Sequence, residues 1–313
     1  MPAAGTGAPA PPAGARFRLV DRYDGRRSLT GIVLTLPALI ALALTMVYPV
    51  TWTIWLSLNG PNTALSGTPD LKGFGNYVRI AGSPEFRAAL WQTLEVVLAS
   101  FVLEAILGLA IALALHRGLR GSKIFSAVVS LPLMVAPVVG ALAWRFILVD
   151  GYGMIDSIAG AFGASGPLWF ADVWLARASI VIASLWMALP FDILVLLAGL
   201  ASLPTDPLEA ARVDGATPWQ LLVLIILPLL KPVIAVILVV RLADAFRIFD
   251  VVYVLTGGGP ANATDVLSTY IYRQMFTVLD FPGGAAAAVL LVLITGTFSL
   301  LAVLLLRDQR TEG

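Results

Sequence analysis

The chain contains no cysteine in 313 residues and a single histidine, His116. Disulfides, thiolate metal sites and cysteine nucleophiles are thereby excluded. A metal centre built on clustered histidines lacks its ligands. Charge is scarce too: 12% of residues are charged and 59% are hydrophobic, where a soluble domain carries about 25% charged residues. With a mean hydropathy of +0.90, a chain of this length cannot coat itself with a water-facing surface, so lipid must be the solvent for much of it. There is also no G-x-x-x-x-G-K-[ST] segment, and Gly121-Ser122-Lys123 does not make one. The chain is not expected to hold ATP or its magnesium, and no other cofactor is implied.

What is present is a series of long apolar stretches. A spanning helix needs about 20 mostly apolar residues. Six candidates lie at roughly 31–57, 89–115, 124–148, 178–203, 221–246 and 283–306. They predict an all-α integral membrane protein with six transmembrane helices. Residues 1–27, rich in Ala, Pro, Gly and Arg, read as a disordered basic tail. Residues 28–307 read as the membrane domain and 308–313 as a C-terminal tail. The uncharged run after Arg27 is longer than the roughly 7–15 apolar residues of a secretory signal, so an uncleaved first span is expected.

Lys and Arg concentrate on the cytosolic side of short loops. Arg16, Arg18, Arg22, Arg26 and Arg27 precede the first span, Arg117, Arg120 and Lys123 follow the second, and Arg307 and Arg310 follow the last. The loop 150–175 before the fourth span has no Lys or Arg, only Asp150, Asp156 and Asp172. Both termini are therefore expected in the cytosol, together with residues 201–220.

That last segment is punctuated for a short helix. Asp206-Pro207-Leu208-Glu209 reads as a start, with Asp206 as cap, Pro207 at the first helical position and Glu209 reaching back. Gly215 reads as the stop. Thr217-Pro218-Trp219-Gln220 then reads as a second capped start. A rigid, exposed helix with defined ends suits docking.

These residues carry a resemblance. Glu209-Ala210-Ala211, Gly215, Ile225 and Leu227-Pro228 fit the pattern E-A-A-x3-G-x9-I-x-L-P at every fixed position. The chain thus resembles the permease subunits of binding-protein-dependent ABC importers. Asp244-Ala245-Phe246-Arg247-Ile248-Phe249-Asp250 and Leu255-Thr256-Gly257-Gly258-Gly259-Pro260 bring it near the maltose-transporter-like carbohydrate branch, over about residues 28–307. The resemblance implies a type I importer core in a bacterial cytoplasmic membrane. It also implies a second homologous permease, two ATPase subunits that bind ATP and magnesium, and an extracytoplasmic solute-binding protein. No nucleic-acid partner is implied. ATPase coupling would fall to Asp206, Glu209, Ala210, Ala211, Asp214 and Gly215.

In such relatives the solute meets the helices on either side of the signature loop. The matching positions are Ser184, Trp186, Met187, Ala188 and Phe191, then Arg241, Asp244, Ala245 and Ile248. Trp186, Phe191, Phe246 and Tyr253 are candidates to stack on sugar rings. The solute is expected to be a sugar or sugar-like molecule, with glycerol phosphate as the alternative because Arg241 suits an anion. An ion-coupled carrier is a weaker rival, and a membrane enzyme lacks any convincing triad.

Arg241, Asp244, Arg247 and Asp250 recur every third residue with alternating sign, which reads either as a self-neutralising ladder on one helix or, for Arg241 and Asp244, as groups that line the solute path. Glu95 and Glu104 lie nine residues apart, so they should face opposite sides of the second span. Glu104 should then be buried beside a partner that the sequence does not name.

The absence of cysteine makes the topology directly testable. Ala216→Cys should react with a membrane-impermeant maleimide only after the cytosolic face is opened, whereas Ala164→Cys should react in intact cells. The reverse pattern overturns the orientation.

Overall fold

The computed structural model describes residues 25–60, 70–118 and 121–307. Both expected tails fall largely outside them. Contacts divide the chain into two units, residues 1–52 and 53–313. The first unit holds α1 (Gly25–Leu42), a π turn at Ala43–Val47 and the start of α2 (Tyr48–Ser57). Described side chains from Ile32 to Val50 are exposed and mostly apolar, as suits a lipid-facing segment.

The second unit continues with α3 (Gly75–Gly82), α4 (Pro84–His116), α5 (Ser122–Ser130), α6 (Pro137–Leu148) and α7 (Met154–Ala161). Then come α8 (Val173–Ala201), α9 (Thr205–Val213), α10 (Pro218–Leu221), α11 (Leu227–Ala245), α12 (Asp250–Leu255), α13 (Leu267–Phe276) and α14 (Phe281–Arg307). Among the described residues five helical stretches are long and apolar enough to cross a membrane, or six if a bent helix pair is one span.

The bent pair corrects one expectation. Residues 124–148 form no continuous helix: Ile124–Met134 and Pro137–Leu148 meet at 104°. Pro137 disfavours helical backbone at the preceding residue, and Ala136 is extended with ψ 137°. Prolines also explain two subtler departures. The π turns at Ala43–Val47 and Leu222–Ile226 each end two residues before a proline, Pro49 and Pro228. A helical proline has no N–H for the carbonyl four residues back and clashes with it. A wider turn spanning that carbonyl relieves both problems.

The buried stripe of α4 explains its packing. Val96, Ser100, Glu104, Gly108 and Ala112 recur every fourth residue and are buried, so they form a continuous buried face that winds slowly around the helix. That face lies against α8. Small residues let membrane helices approach closely. A Cβ on Gly108 would lie 3.4 Å from Asp192 Cβ, and one on Gly199 would lie 2.9 Å from Val233 Cγ2. Two apolar clusters result. Val96, Ile180, Ala183, Val252 and Leu255 join α4, α8 and α12. Ala112, Leu196, Leu200, Leu230 and Ile237 join α4, α8 and α11. Glu104, Asp192 and Arg241 lie between these clusters along the chain.

The connection from α12 to α13 is held from several sides. Arg177 Nε donates to Ala263 O at 3.2 Å, and Leu267 N donates to Thr93 Oγ1 at 2.8 Å. Arg273 pairs with Asp265 at 2.6 Å. Burial pushes the Asp265 carboxyl up, while Thr269 and Arg273 pull it back down.

The close approach at Gly199 gives a stability test. Gly199→Val must push Val233 and Leu230 aside and should cost about 1–3 kcal/mol. A lowered midpoint in detergent unfolding is expected, with Gly82→Val, where a Cβ meets nothing within 4 Å, as the unaffected comparison.

Candidate functional site

Between the apolar clusters, three spans bring charge together. Arg241 of α11 places its Nε 3.3 Å from Glu104 Oε2 of α4 and 3.2 Å from Asp192 Oδ1 of α8. The Asp192 side chain is 3% exposed, Glu104 10% and Arg241 13%. The guanidinium also lies over the Phe191 ring at 5.8 Å. One cation therefore bridges two carboxylates from two other helices. A charge at mid-membrane costs roughly 2.5–3.5 kcal/mol on insertion scales, so mutual pairing is what makes all three tolerable.

This cluster borders a cavity of about 280 Å³, near the lower end of ligand pockets. α4 supplies Val96, Val97, Ser100 and Glu104, and Pro137 contributes from the break in the third span. Ser184, Met187 and Ala188 come from α8. Arg241, Asp244 and Ala245 come from α11, followed by Arg247, Ile248 and Phe249 of the turn and Asp250 and Val251 of α12. Charged and hydroxyl groups can hydrogen-bond a polyhydroxylated solute, and Val96, Val97, Ile248 and Phe249 are among the apolar residues of the wall.

Away from the cavity, α9 is exposed along most of its length. Asp206, Glu209, Ala210, Asp214 and Gly215 are all exposed, and Ala211 is half-buried. Gly215, at φ +81°, ends the helix. Ala216 N donates to Ala211 O at 2.9 Å and Gly215 N to Arg212 O at 3.2 Å, the paired bonds of a left-handed glycine stop. The next start is a complete capping box: Thr217 N donates to Gln220 Oε1 at 2.8 Å and Gln220 N to Thr217 Oγ1 at 3.3 Å.

Residues 105–312 match the family model described as "Binding-protein-dependent transport system inner membrane component". The chain belongs to this family. It is 35% identical to the trehalose/maltose transport system permease protein of Thermococcus litoralis, over 93% of this chain and 98% of that one. It is 37% identical to the trehalose transport system permease protein of Mycobacterium tuberculosis, over 83% and 82% of the two chains. Its fold is that of a chain in the crystal structure of a bacterial alginate ABC transporter with its pentasaccharide-bound periplasmic protein. That comparison has a TM-score of 0.77 and 24% identity, and covers 92% of this chain and 97% of the other. The protein is thus a multi-pass inner-membrane transport component.

The permease departs from the sequence reading in several places. The ladder of Arg241, Asp244, Arg247 and Asp250 does not form: α11 ends at Ala245 and α12 starts at Asp250, so the four residues do not share one helix face. Arg241 pairs across to α4 and α8 instead. Asp206 is not the cap of α9; Pro204 holds that position without a side-chain bond, and Asp206 sits in the first turn. Glu209 therefore has no cap amide of Asp206 to reach.

Of the nine residues aligned with the solute path, Ser184, Met187, Ala188, Arg241, Asp244, Ala245 and Ile248 line the cavity, whereas Trp186 and Phe191 do not. Trp186 packs edge-on against Trp144 at 6.4 Å. Phe246 is 1% exposed and stacked on Phe298, which removes it as a stacking surface for solute. Tyr253 stacks on Phe249 at 5.1 Å. Glu95 and Glu104 have separate arginines: Glu95 pairs with Arg177 at 2.9 Å.

Asp192 is a site residue that the sequence reading lacks. Two signals point to it. A lone charge in an apolar span is costly enough to need a partner. Ser184, Ala188 and Asp192 also recur every fourth residue, so Asp192 continues the face whose first two members line the cavity. Neither signal names Arg241 as the partner; that requires the fold.

The shared guanidinium sets an order of effects. Arg241→Met strands two buried carboxylates and should cost about 3–5 kcal/mol. Glu104→Gln or Asp192→Asn leaves the arginine one partner and should cost less. Denaturant unfolding of the purified protein checks the order, and equal losses for all three would contradict the shared pair.

Proposed function

We propose that this chain is the membrane-spanning permease subunit of an ATP-binding-cassette importer for a sugar or sugar-like solute. The observation that carries the reading is the cavity bordered by charged groups of three spans in a member of a binding-protein-dependent transport family. The trehalose and trehalose/maltose permeases among its relatives support the solute class.

In this reading the chain pairs with a second homologous permease, and two ATPase subunits bind ATP and magnesium. A solute-binding protein docks from the extracytoplasmic side, on loops that include 255–282. The α9 helix is the docking element for an ATPase. Its exposed Glu209 offers a carboxylate to a basic partner group, and Gly215 turns the chain sharply towards α10. The capping box ties α10 to that turn, and the helix continues into α11, which carries Arg241. Closure of the ATPases would move α9 and α11 together and expose the cavity to alternate sides. Solute biases such an equilibrium only by binding its states unequally.

Glu209→Ala combined with Gly215→Val tests the coupling. Gly215→Val forces a β-branched residue to positive φ. The assembled complex should lose at least tenfold of its ATP hydrolysis stimulated by loaded binding protein, while the subunits still co-purify. Undiminished stimulation and uptake in that variant would refute the docking role.

A further inference from the structure

Arg241 makes an anionic solute attractive at first sight, but its charge is already committed. Both carboxylates that touch it come from other helices, and either one suffices to neutralise it. The remaining cavity groups shift the balance further. Asp244 and Asp250 line the wall on either side of Arg247, and neither they nor Arg247 form an ion pair among the described residues. With Glu104 included, three acidic side chains line the cavity beside two basic ones, and Asp192 lies behind Arg241.

The donor inventory points the same way. Arg241 Nη2 is buried without a hydrogen-bond partner among the described residues. Buried donors are normally satisfied, but this one has no exposed surface, so it is withheld from a solute in the cavity. Asp244 and Asp250 can accept from sugar hydroxyls. They repel a phosphate or carboxylate.

We infer that Glu104 and Asp192 are specificity determinants that mask Arg241, so that the cavity admits a neutral polyhydroxylated solute and rejects an anionic one of the same size. Asp192 acts as a positioning residue, because it reaches the cavity only through Arg241; Glu104 lines the wall directly. The inference rests on the permease reading and narrows its solute class.

The test uses the assembled complex, purified through a tag on this chain and trapped with ATP and vanadate, without binding protein. The probes are trehalose and maltose, each set against its 6-phosphate, with affinity read by equilibrium dialysis. The wild-type complex should bind at least one neutral sugar at least tenfold more tightly than its phosphate. Asp192→Asn, and separately Glu104→Gln, should reduce that ratio at least threefold, whatever happens to the absolute affinities.

Equal wild-type affinity for the sugar and its phosphate overturns the inference. So does an unchanged ratio in both variants. If the trapped complex binds neither class, while sugar-loaded binding protein still stimulates its ATPase, the cavity assignment falls and the permease reading stands. If no sugar-loaded binding protein stimulates hydrolysis, the permease reading for sugars falls first.

Discussion

The bundle is organised around one guanidinium held between two carboxylates. Arg241, Glu104 and Asp192 come from three different spans, and each is costly in an apolar surrounding without an opposite charge beside it. Their meeting fixes the register of α4, α8 and α11 at one level. The surrounding residues make that meeting sterically possible. Gly108 lies one helical turn beyond Glu104 and leaves room for Asp192. Gly199 lets α8 close on Val233 and Leu230 of α11. On either side the small and aliphatic residues of the two clusters seal the polar level from above and below.

Irregular backbone collects around the same level. α11 ends at Ala245, four residues past Arg241, and the turn to Asp250 supplies Arg247, Ile248 and Phe249 to the cavity. The third span breaks beside Pro137, which also lines it. Non-helical backbone at membrane depth is tolerated where it is buried in protein or lines a cavity, so the two breaks and the cavity account for each other. The π turn at Leu222–Ile226 lies between the capping box and Arg241. It widens the helix without interrupting it, and the hydrogen-bonded path from Thr217 to Ala245 remains continuous.

Much of this was legible in the residues. Apolar length gave the spans, and Gly215 and the Thr217–Gln220 pair gave the stop and start around α9, because caps are local and each needs only a few adjacent side chains. Asp206 misled because Asp-Pro is also a sound first turn once Pro204 has set the extended residue before it. Periodicity failed at Arg241–Asp250 for a different reason: it assumes an unbroken helix, and the helix ends inside the pattern. The break at Ala136 was signalled by Pro137, yet prolines at 49, 190, 228 and 232 lie in or beside helices that continue. Which proline breaks a span depends on whether neighbouring helices can re-satisfy the freed carbonyl, and that is tertiary information. The pairing of Glu104 and Asp192 with Arg241 was invisible for the same reason, since residues this far apart in the chain meet only after folding.

Stability alone gives little reason for the charged level. Replacing a buried ion triad by well-packed apolar residues is often neutral or stabilising, and lipid-solvated helices already have small residues to pack with. An apolar substitute would, however, have removed Arg241 and Glu104 from the polar part of the cavity wall. Arg241 can stay ionised inside the bundle only beside carboxylates. Two carboxylates around one arginine do more than neutralise it, because they leave the wall with an excess of acceptors. The cost of burying three charges is therefore tied to the chemistry of the wall: a donor that is present, held in place and stripped of its attraction for anions.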